Sequence, residues 1–88
     1  GIDLGVIAAI LSSYQNMPID SKIAFVGEVG LSGEIRAVSR IEQRISEAEK
    51  LGFVTVYVSK FNKLPKQKGS INIVEVGKIE ELLNFLFG

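Results

Sequence analysis

The fold is decided by residues 27–59, which read GEVGLSGEIRAVSRIEQRISEAEKLGFVTVYVS and predict a hairpin, a helix and a strand in succession. The segment Gly30–Gly33 is typical of a tight turn, because glycine adopts positive φ at little cost. It separates two predicted strands, Ile23–Val29 and Glu34–Val38, which we expect to pair as a hairpin. Val54–Ser59 is rich in β-branched and aromatic residues and predicts a further strand.

A helix is predicted between the second and third of these strands. Ser39 and Glu42 have the spacing of a capping box, in which each side chain bonds to a backbone N–H at the helix start. Gly52 predicts the end of the helix. A helix in this place favours a right-handed parallel crossover from Glu34–Val38 to Val54–Ser59. Its core-facing residues recur at helical spacing: Ile41, Ile45 and Ala48.

The segments outside this stretch predict another helix, a loop and a strand. Asp3 is a candidate N-cap for a helix over Leu4–Tyr14, and Asn16-Met17-Pro18 ends that helix. The helix is apolar on nearly every side, which is typical of a helix buried at the centre of a domain. Towards the C-terminus, Lys60–Ser70 predicts a loop and Ile71–Val76 a strand.

A final amphipathic helix completes the predicted set of elements. Its apolar face is formed by Ile79, Leu82, Leu83 and Leu86. The predicted order is α-β-β-α-β-β-α. A chain of 88 residues is long enough for one domain and too short for two.

Composition excludes several kinds of chemistry. The chain contains neither Cys nor His, which removes disulfides, thiolate nucleophiles, imidazole catalysis and the usual zinc ligands. Ten Lys and Arg residues balance ten Asp and Glu residues, so attraction to a polyanion must come from a local patch. The longest apolar run, Leu4–Leu11, is too short to cross a bilayer. We therefore expect a cytoplasmic protein with no membrane partner, and the start at Gly1 predicts a fragment of a longer protein.

Two patterns that resemble reactive sites have simpler structural interpretations. The glycines of residues 27–33 lack the Lys and Ser/Thr of a phosphate-binding P-loop, and Glu28 and Glu34 would repel phosphate. Glu80 and Glu81 are adjacent on a helix and point about 100° apart, so they cannot converge on one ion. We predict no metal site and no cofactor for this chain.

The segment quoted above closely resembles the proteolytic domain of Lon-type proteases, and the spacing from Gly27-Glu28 through Gly33 to Gly52 matches without a gap. The motifs GEVGLSGEIR, SRIEQRISEA and KLGF further resemble the C-terminal Lon-like domain of a family of bacterial DNA repair ATPases. The resemblance covers residues 1–88. It implies one α/β (α+β) domain of the ribosomal protein S5 domain 2-like type, truncated at its N-terminus.

The resemblance also indicates that this domain has lost its peptidase site. The nucleophilic serine of the Lon family corresponds to Gly1, which has no side chain. The catalytic lysine corresponds to Glu42, which cannot act as an amine base. We therefore predict that the chain has no catalytic residues and no peptidase activity.

For the full-length protein, the resemblance implies a DNA-dependent ATPase that processes branched intermediates of recombinational DNA repair. This domain would serve as a scaffold that helps to form a ring-shaped homo-oligomer, a hexamer, and would contact DNA. ATP, Mg and Zn would belong to upstream domains. Two alternatives remain: a C-terminal fragment of a Lon-like Ser-Lys peptidase, and an interaction module of another protein with the same fold.

Basic residues are the candidates for a DNA-contacting surface. Four lysines fall in a loop segment that contains no acidic residue, and three arginines precede them. The alternative interpretation is a solvated loop and a solubilising helix face. The candidates for contacts to DNA phosphates are Arg36, Arg40, Arg44, Lys60, Lys63, Lys66 and Lys68.

We also expect the chain to self-associate. The helix containing Leu4–Leu11 is apolar on more sides than four strands can cover, and Phe85 and Phe87 widen the apolar surface of the last helix. Exposed strand edges and apolar patches of this kind recruit partners.

Overall fold

The computed structural model describes residues 1–64, 66 and 69–88. These residues form a mixed α/β domain with three helices and two three-stranded sheets, which confirms the predicted α/β class. In chain order the elements are β1 (Ile2–Asp3), α1 (Leu4–Gln15), β2 (Ile23–Val26), β3 (Glu28–Val29), β4 (Ile35–Arg36), α2 (Ile41–Lys50), β5 (Thr55–Ser59), β6 (Asn72–Val76) and α3 (Ile79–Phe87).

The larger sheet has the order β2–β5–β6, and all three strands run parallel. One row of side chains across it, Phe25, Tyr57 and Val74, packs into one core cluster. A parallel connection through α2 is therefore present, but the prediction of its first strand is wrong. The strand that pairs with β5 is β2, whereas β4 pairs with β3 in the smaller sheet. After β2 the chain passes into the smaller sheet, forms the hairpin β3–β4, and then continues through α2 into β5 of the larger sheet.

The smaller sheet has the order β1–β3–β4, with antiparallel neighbours. The strands β3 and β4 form the predicted hairpin, in which Val29 lies opposite Ile35. The prediction of one continuous strand over Ile23–Val29 is wrong, because the chain changes sheets at Gly27. The Gly27 carbonyl accepts a 2.9 Å hydrogen bond from the Leu4 N–H, and a Cβ on Gly27 would lie 3.3 Å from Ile35.

The observed order of elements therefore differs from the prediction at two places. The short strand β1 precedes the first helix, and β2 and β3 replace a single strand. The strand β1 is defined by its pairing with β3, and β3 is distinct from β2 because it pairs in the other sheet. The alternation of apolar and polar residues along one segment does not indicate which distant strand that segment pairs with.

Helices cover both faces of the larger sheet. On one face, α1 and α3 contribute Leu4, Ala8 and Leu82 to a cluster that includes Tyr57. On the other face α2 packs against Val56 and Val58 of β5. The residues that α2 contributes are those predicted, Ile41, Ile45 and Ala48, and all three are buried.

The starts of the helices are stabilised in different ways. Asp3 is the predicted N-cap of α1, and its Oδ1 accepts hydrogen bonds from the N–H groups of Gly5 and Val6. The predicted capping box of α2 is wrong. The helix begins at Ile41, so Arg40 occupies the N-cap position and Ser39 lies one residue too early. Within the described part of the chain, no side chain caps α2.

The ends of α2 and α1 follow the predicted signals. Gly52 follows α2 with a φ of 93°, a conformation that favours glycine. Asn16 ends α1 in the left-handed conformation.

The expectation that α1 is buried on most sides is wrong. Leu4 and Ala8 are buried, but Val6, Ile10 and Tyr14 are 50%, 57% and 88% exposed. The sheet offers α1 one face, and no other element of the described residues covers the opposite side of this helix.

The C-terminal half agrees more closely with the prediction. The strand predicted over Ile71–Val76 is β6, and Leu82 is fully buried, with Ile79 and Leu86 packed against the same cluster. In the described part of Lys60–Ser70 there is neither helix nor strand. None of the helices in the described residues has the length and apolar character needed to span a membrane.

Candidate functional site

The two positions that the resemblance equates with a Ser-Lys dyad lie in different surroundings. The Gly1 amine lies 3.8 Å from the Glu28 carboxylate, beside the smaller sheet. A Cβ on Gly1 would lie 3.0 Å from that same carboxylate, so a side chain there would be tightly confined. Glu42 is exposed in the first turn of α2, next to two basic side chains. The absence of peptidase activity stays a prediction.

Arg36 already has an acidic partner on its own hairpin. Its Nε and Nη2 donate hydrogen bonds of 3.1 and 3.0 Å to Glu34 Oε2. The Glu34 backbone N–H, the Arg36 guanidinium and the Ser32 N–H hold the pKa of the Glu34 carboxyl below its ordinary value. Because its charge is balanced locally, Arg36 is less available to an anion than a cation without an acidic partner.

Three basic candidates lie at or near the start of α2. Arg40 and Lys63 line one open depression, together with Ile41, Glu42 and Gln43. Arg44 lies one turn along the helix, and its Nε donates a 3.1 Å hydrogen bond to the carbonyl of Ser39. The fold therefore brings Arg40 and Lys63, which are distant in sequence, to one surface.

The backbone of Arg40 adopts a conformation that is unusual for arginine. Its φ of 58° and ψ of 41° are left-handed. Asn16 is the other non-glycine residue with positive φ in the described part of the chain, and Asn tolerates this region because its short side chain bonds locally. For arginine the conformation costs about 1–2 kcal/mol. An exposed cation is thus held at the helix start in spite of local strain.

The loop that follows β5 is anchored by a buried serine. Ser59 is fully buried, and its Oγ donates a 2.8 Å hydrogen bond to the Ile35 carbonyl. The same Oγ accepts a 3.1 Å hydrogen bond from the Phe61 N–H. Ser59 therefore ties the loop to the hairpin strand β4, a role that the sequence pattern does not reveal.

A second anchor holds the loop against the segment before α2. The Asn62 Oδ1 accepts a 3.2 Å hydrogen bond from the Val38 N–H, and its Nδ2 donates a 2.8 Å hydrogen bond to the Val38 carbonyl. Asn62 thus pairs with Val38 much as a neighbouring strand would. This pairing places the next residue, Lys63, close to the start of α2. In the sequence, this pairing is marked only by an Asn within a lysine-rich loop. The Asn does not indicate that its partner is Val38.

The remaining loop lysines are placed less specifically. The Lys60 Nζ lies 5.3 Å from the centroid of the Phe61 ring, and Lys66 is exposed. Lys68 lies outside the described residues. Within the described part of the chain, no group of three or more His, Cys, Asp or Glu side chains is arranged to hold a metal ion.

Comparison with known families defines the class of protein. A family model described as subunit ChlI of Mg-chelatase matches residues 1–62, more than two thirds of the chain. The chain belongs to this family. The match includes both strands of the hairpin, all of α2 and the anchoring residues Ser59 and Asn62.

Individual relatives carry a more particular name, DNA repair protein RadA. The chain is 50% identical to RadA of Streptococcus pneumoniae (strain ATCC BAA-255 / R6) over 90 residues, which cover 98% of this chain and 21% of that protein. It is 43% identical to RadA of Bacillus subtilis (strain 168) over 89 residues, which cover 99% of this chain and 19% of that protein. The predicted resemblance to a bacterial DNA repair protein is confirmed. The chain spans about a fifth of the length of these relatives.

Proposed function

We propose that this chain is a non-catalytic domain of a cytoplasmic DNA repair protein, that it contacts DNA, and that it helps to hold copies of that protein together. In this proposal the domain has the Lon-like fold of the ribosomal protein S5 domain 2-like type. The copies form a hexameric ring, and a DNA-dependent ATPase outside these 88 residues acts on branched recombination intermediates. The relatives named DNA repair protein RadA, and their fivefold greater length, support it.

The observation that carries the DNA contact is the placement of Arg40 beside Lys63 in one open depression. Arg44 extends the positive surface by one helical turn. Cations near a helix N-terminus are disfavoured by about 0.3–1 kcal/mol each, because the positive end of the helix dipole lies there. Arg40 also has a strained backbone. Binding of a phosphate group would offset both the unfavourable helix dipole and the backbone strain.

One acidic side chain reduces the positive charge of this surface. Glu42 lines the same depression as Arg40 and Lys63. It is exposed, and it has no capping role, because Ser39 is not the N-cap. Neutralising Glu42 should therefore strengthen DNA binding, whereas neutralising its basic neighbours should weaken it.

The proposal is tested by measuring duplex DNA affinity across a salt series. The variants Arg40→Gln and Lys63→Gln should each reduce the slope of log K against log salt by about one unit, because each removes one phosphate contact. Glu42→Gln should raise the affinity. The matched control is Lys22→Gln, since Lys22 adjoins Thr55 at the opposite end of the parallel strands from Lys63.

Equal slopes for the parent, Arg40→Gln and Lys63→Gln would show that this surface is ordinary solvated protein. A fall in slope for Lys22→Gln as large as for Lys63→Gln would mean that binding is spread over the molecule.

The self-association in this proposal rests on α1 and α3. Val6, Ile10 and Tyr14 of α1 are at least half exposed, and Phe85 of α3 is 59% exposed. The segment 4–15 contains no charged residue, so no charge on α1 itself accompanies its exposed apolar side chains. We propose that a second copy covers it, with a contact that buries more than about 1,000 Å² in total.

A further inference from the structure

We propose that the turn at the tip of the hairpin, Gly30–Gly33, docks on the side of a neighbouring copy that is formed by α1 and α3. In this contact Leu31 packs against the exposed apolar side chains of that side, and the Tyr57 hydroxyl donates a hydrogen bond to a carbonyl of the turn. The inference rests on the self-association proposed above. It names the element that one copy presents to the next, and it makes the contact head-to-tail.

The turn displays an apolar side chain on a hydrogen-bonded backbone. Leu31 is fully exposed. The Gly30 N–H donates a 2.8 Å hydrogen bond to the Glu34 carbonyl, and the Gly33 N–H donates one of 3.0 Å to the Gly30 carbonyl. The Gly33 carbonyl accepts a 3.0 Å hydrogen bond from the Ile79 N–H at the start of α3. A partner that covers Leu31 therefore does not have to order the turn first, which lowers the entropic cost of binding.

The tip of the hairpin has no net charge. Glu34 and Arg36 are the charged residues of segment 30–36, and the Arg36 Nη2 lies 3.0 Å from the Glu34 Oε2. The Glu34 Oε1 also accepts a 3.0 Å hydrogen bond from the Ser32 N–H. On the receiving side, the α1 segment 4–15 contains no charged residue. Two such surfaces can meet without removing an unpaired charge from water.

The receiving side also holds a hydroxyl that lacks a partner. Tyr57 is 6% exposed, with its ring 5.7 Å from that of Phe25 and 6.0 Å from that of Phe85. The hydroxyl makes no hydrogen bond to any of the described residues, and none of their side-chain polar atoms is both fully buried and unpaired, so it reaches the surface. Burial raises the pKa of Tyr57, which keeps the phenol a neutral donor. A partner that covers it must supply an acceptor, because an unpaired buried donor is unfavourable.

The turn supplies such acceptors. The carbonyl groups of Leu31 and Ser32 accept no hydrogen bond from the part of the chain that the structure describes. They belong to the same turn that displays the Leu31 side chain. The two surfaces therefore match in two respects, since apolar side chains meet apolar side chains and a free donor meets a free acceptor.

The two surfaces are different parts of one molecule. The turn is bonded to the start of α3 through Ile79, whereas Phe85 lies near the end of that helix. A contact between different surfaces is head-to-tail, and its repetition builds a ring or a filament. A contact between two α1–α3 sides would instead close at a dimer and leave Leu31 in water. The head-to-tail contact is the one that fits the proposed ring.

The first experiment uses engineered cysteines, because the chain contains no Cys. Three exposed serines can be replaced with little change in size: Ser32 in the turn, Ser13 on the outer side of α1 and Ser46 on α2. When Ser32→Cys and Ser13→Cys are mixed and mildly oxidised, a disulfide should form between the two variants. The control mixture of Ser32→Cys and Ser46→Cys should give much less.

Two outcomes of this experiment would overturn the inference. One is equal cross-linking of Ser32→Cys to Ser13→Cys and to Ser46→Cys. The other is a predominant disulfide between two copies of Ser13→Cys, which would show two α1–α3 sides in contact. In the second case the proposed self-association would stand, and the head-to-tail contact alone would be wrong.

The second experiment measures self-association by sedimentation velocity. Leu31→Ser changes a fully exposed side chain and should weaken self-association by about tenfold or more, as expected for a central interface residue. Tyr57→Phe keeps the ring and should weaken it by about 2- to 12-fold, the effect of one hydrogen bond. The matched control is Tyr14→Phe, because Tyr14 is 88% exposed and its hydroxyl has access to water.

Unchanged self-association of Leu31→Ser, while Ile10→Lys still disrupts it, would overturn this inference and leave the proposed self-association intact. A parent chain that stays monomeric would overturn both. Equal effects of Tyr57→Phe and Tyr14→Phe would show that the Tyr57 hydroxyl donates no hydrogen bond to the turn.

Discussion

The two sides of the larger sheet are covered by helices of different character. On one side, α2 buries Ile41, Ile45 and Ala48, and its other positions are polar or charged. On the other side, α1 buries Leu4 and Ala8 and leaves three large apolar side chains exposed. Both helices complete a core cluster, but only α2 carries charged residues on its outer surface.

This difference is one of packing. A helix with one apolar stripe needs one packing surface, and the sheet supplies it to α2. A helix that is apolar around its circumference needs a second packing surface, and within the described residues α1 has none. In the proposal above, a charged ligand would meet the side with α2 and Lys63, and a second copy would meet the side with α1 and Phe85.

The largest expected contrast is in the free energy of unfolding. Ile45 is 6% exposed, whereas Ile10 is 57% exposed. Ile45→Ala should lower the stability by about 2–5 kcal/mol, because it leaves a cavity in the core. Ile10→Ala should lower it by less than about 1 kcal/mol. Urea unfolding at low protein concentration measures both, and equal losses would remove the distinction between the two sides.

The next contrast concerns self-association. Ile10→Lys places a charge in the centre of the proposed contact, and it should weaken self-association at least tenfold, as expected for a central interface residue. The control is Leu51→Lys, because Leu51 is 76% exposed just after α2. Sedimentation velocity over a concentration series measures the effect. A parent chain that remains monomeric at high concentration would contradict the proposal for this side.

The smallest contrast is between the starts of α2 and α3. The Glu81 Oε1 accepts hydrogen bonds of 3.0 and 3.1 Å from the N–H groups of Gly77 and Lys78, whereas Ser39 does not cap α2. Glu81→Ala should therefore cost about 0.5–2 kcal/mol. Ser39→Ala should cost less than about 0.5 kcal/mol. Thermal unfolding of the two variants provides the measurement, and a larger loss for Ser39→Ala would restore the capping box that the sequence predicts.

Several features follow from the sequence alone because they depend on neighbouring residues. The core face of α2 comes from the helical spacing of Ile41, Ile45 and Ala48. The hairpin follows from Gly30–Gly33, and the start of α1 from Asp3. Each is a signal within one turn or one helical repeat, where the chain has few alternative conformations. The motifs of residues 27–59 also carry the resemblance to a bacterial DNA repair protein, which the relatives named RadA confirm.

Other features were decided by the tertiary structure, because they depend on residues that are far apart in the chain. The break at Gly27 exists because Ile35 and Leu4 pack closely against it, and β5 pairs with β2 across an intervening hairpin and helix. In the candidate site, Asn62 reaches Val38 across 24 residues and thereby brings Lys63 to Arg40. Local periodicity carries no information on which distant segment a strand edge or side-chain amide will meet. The charged residues could therefore be identified in the sequence, but their common surface could be identified only in the fold.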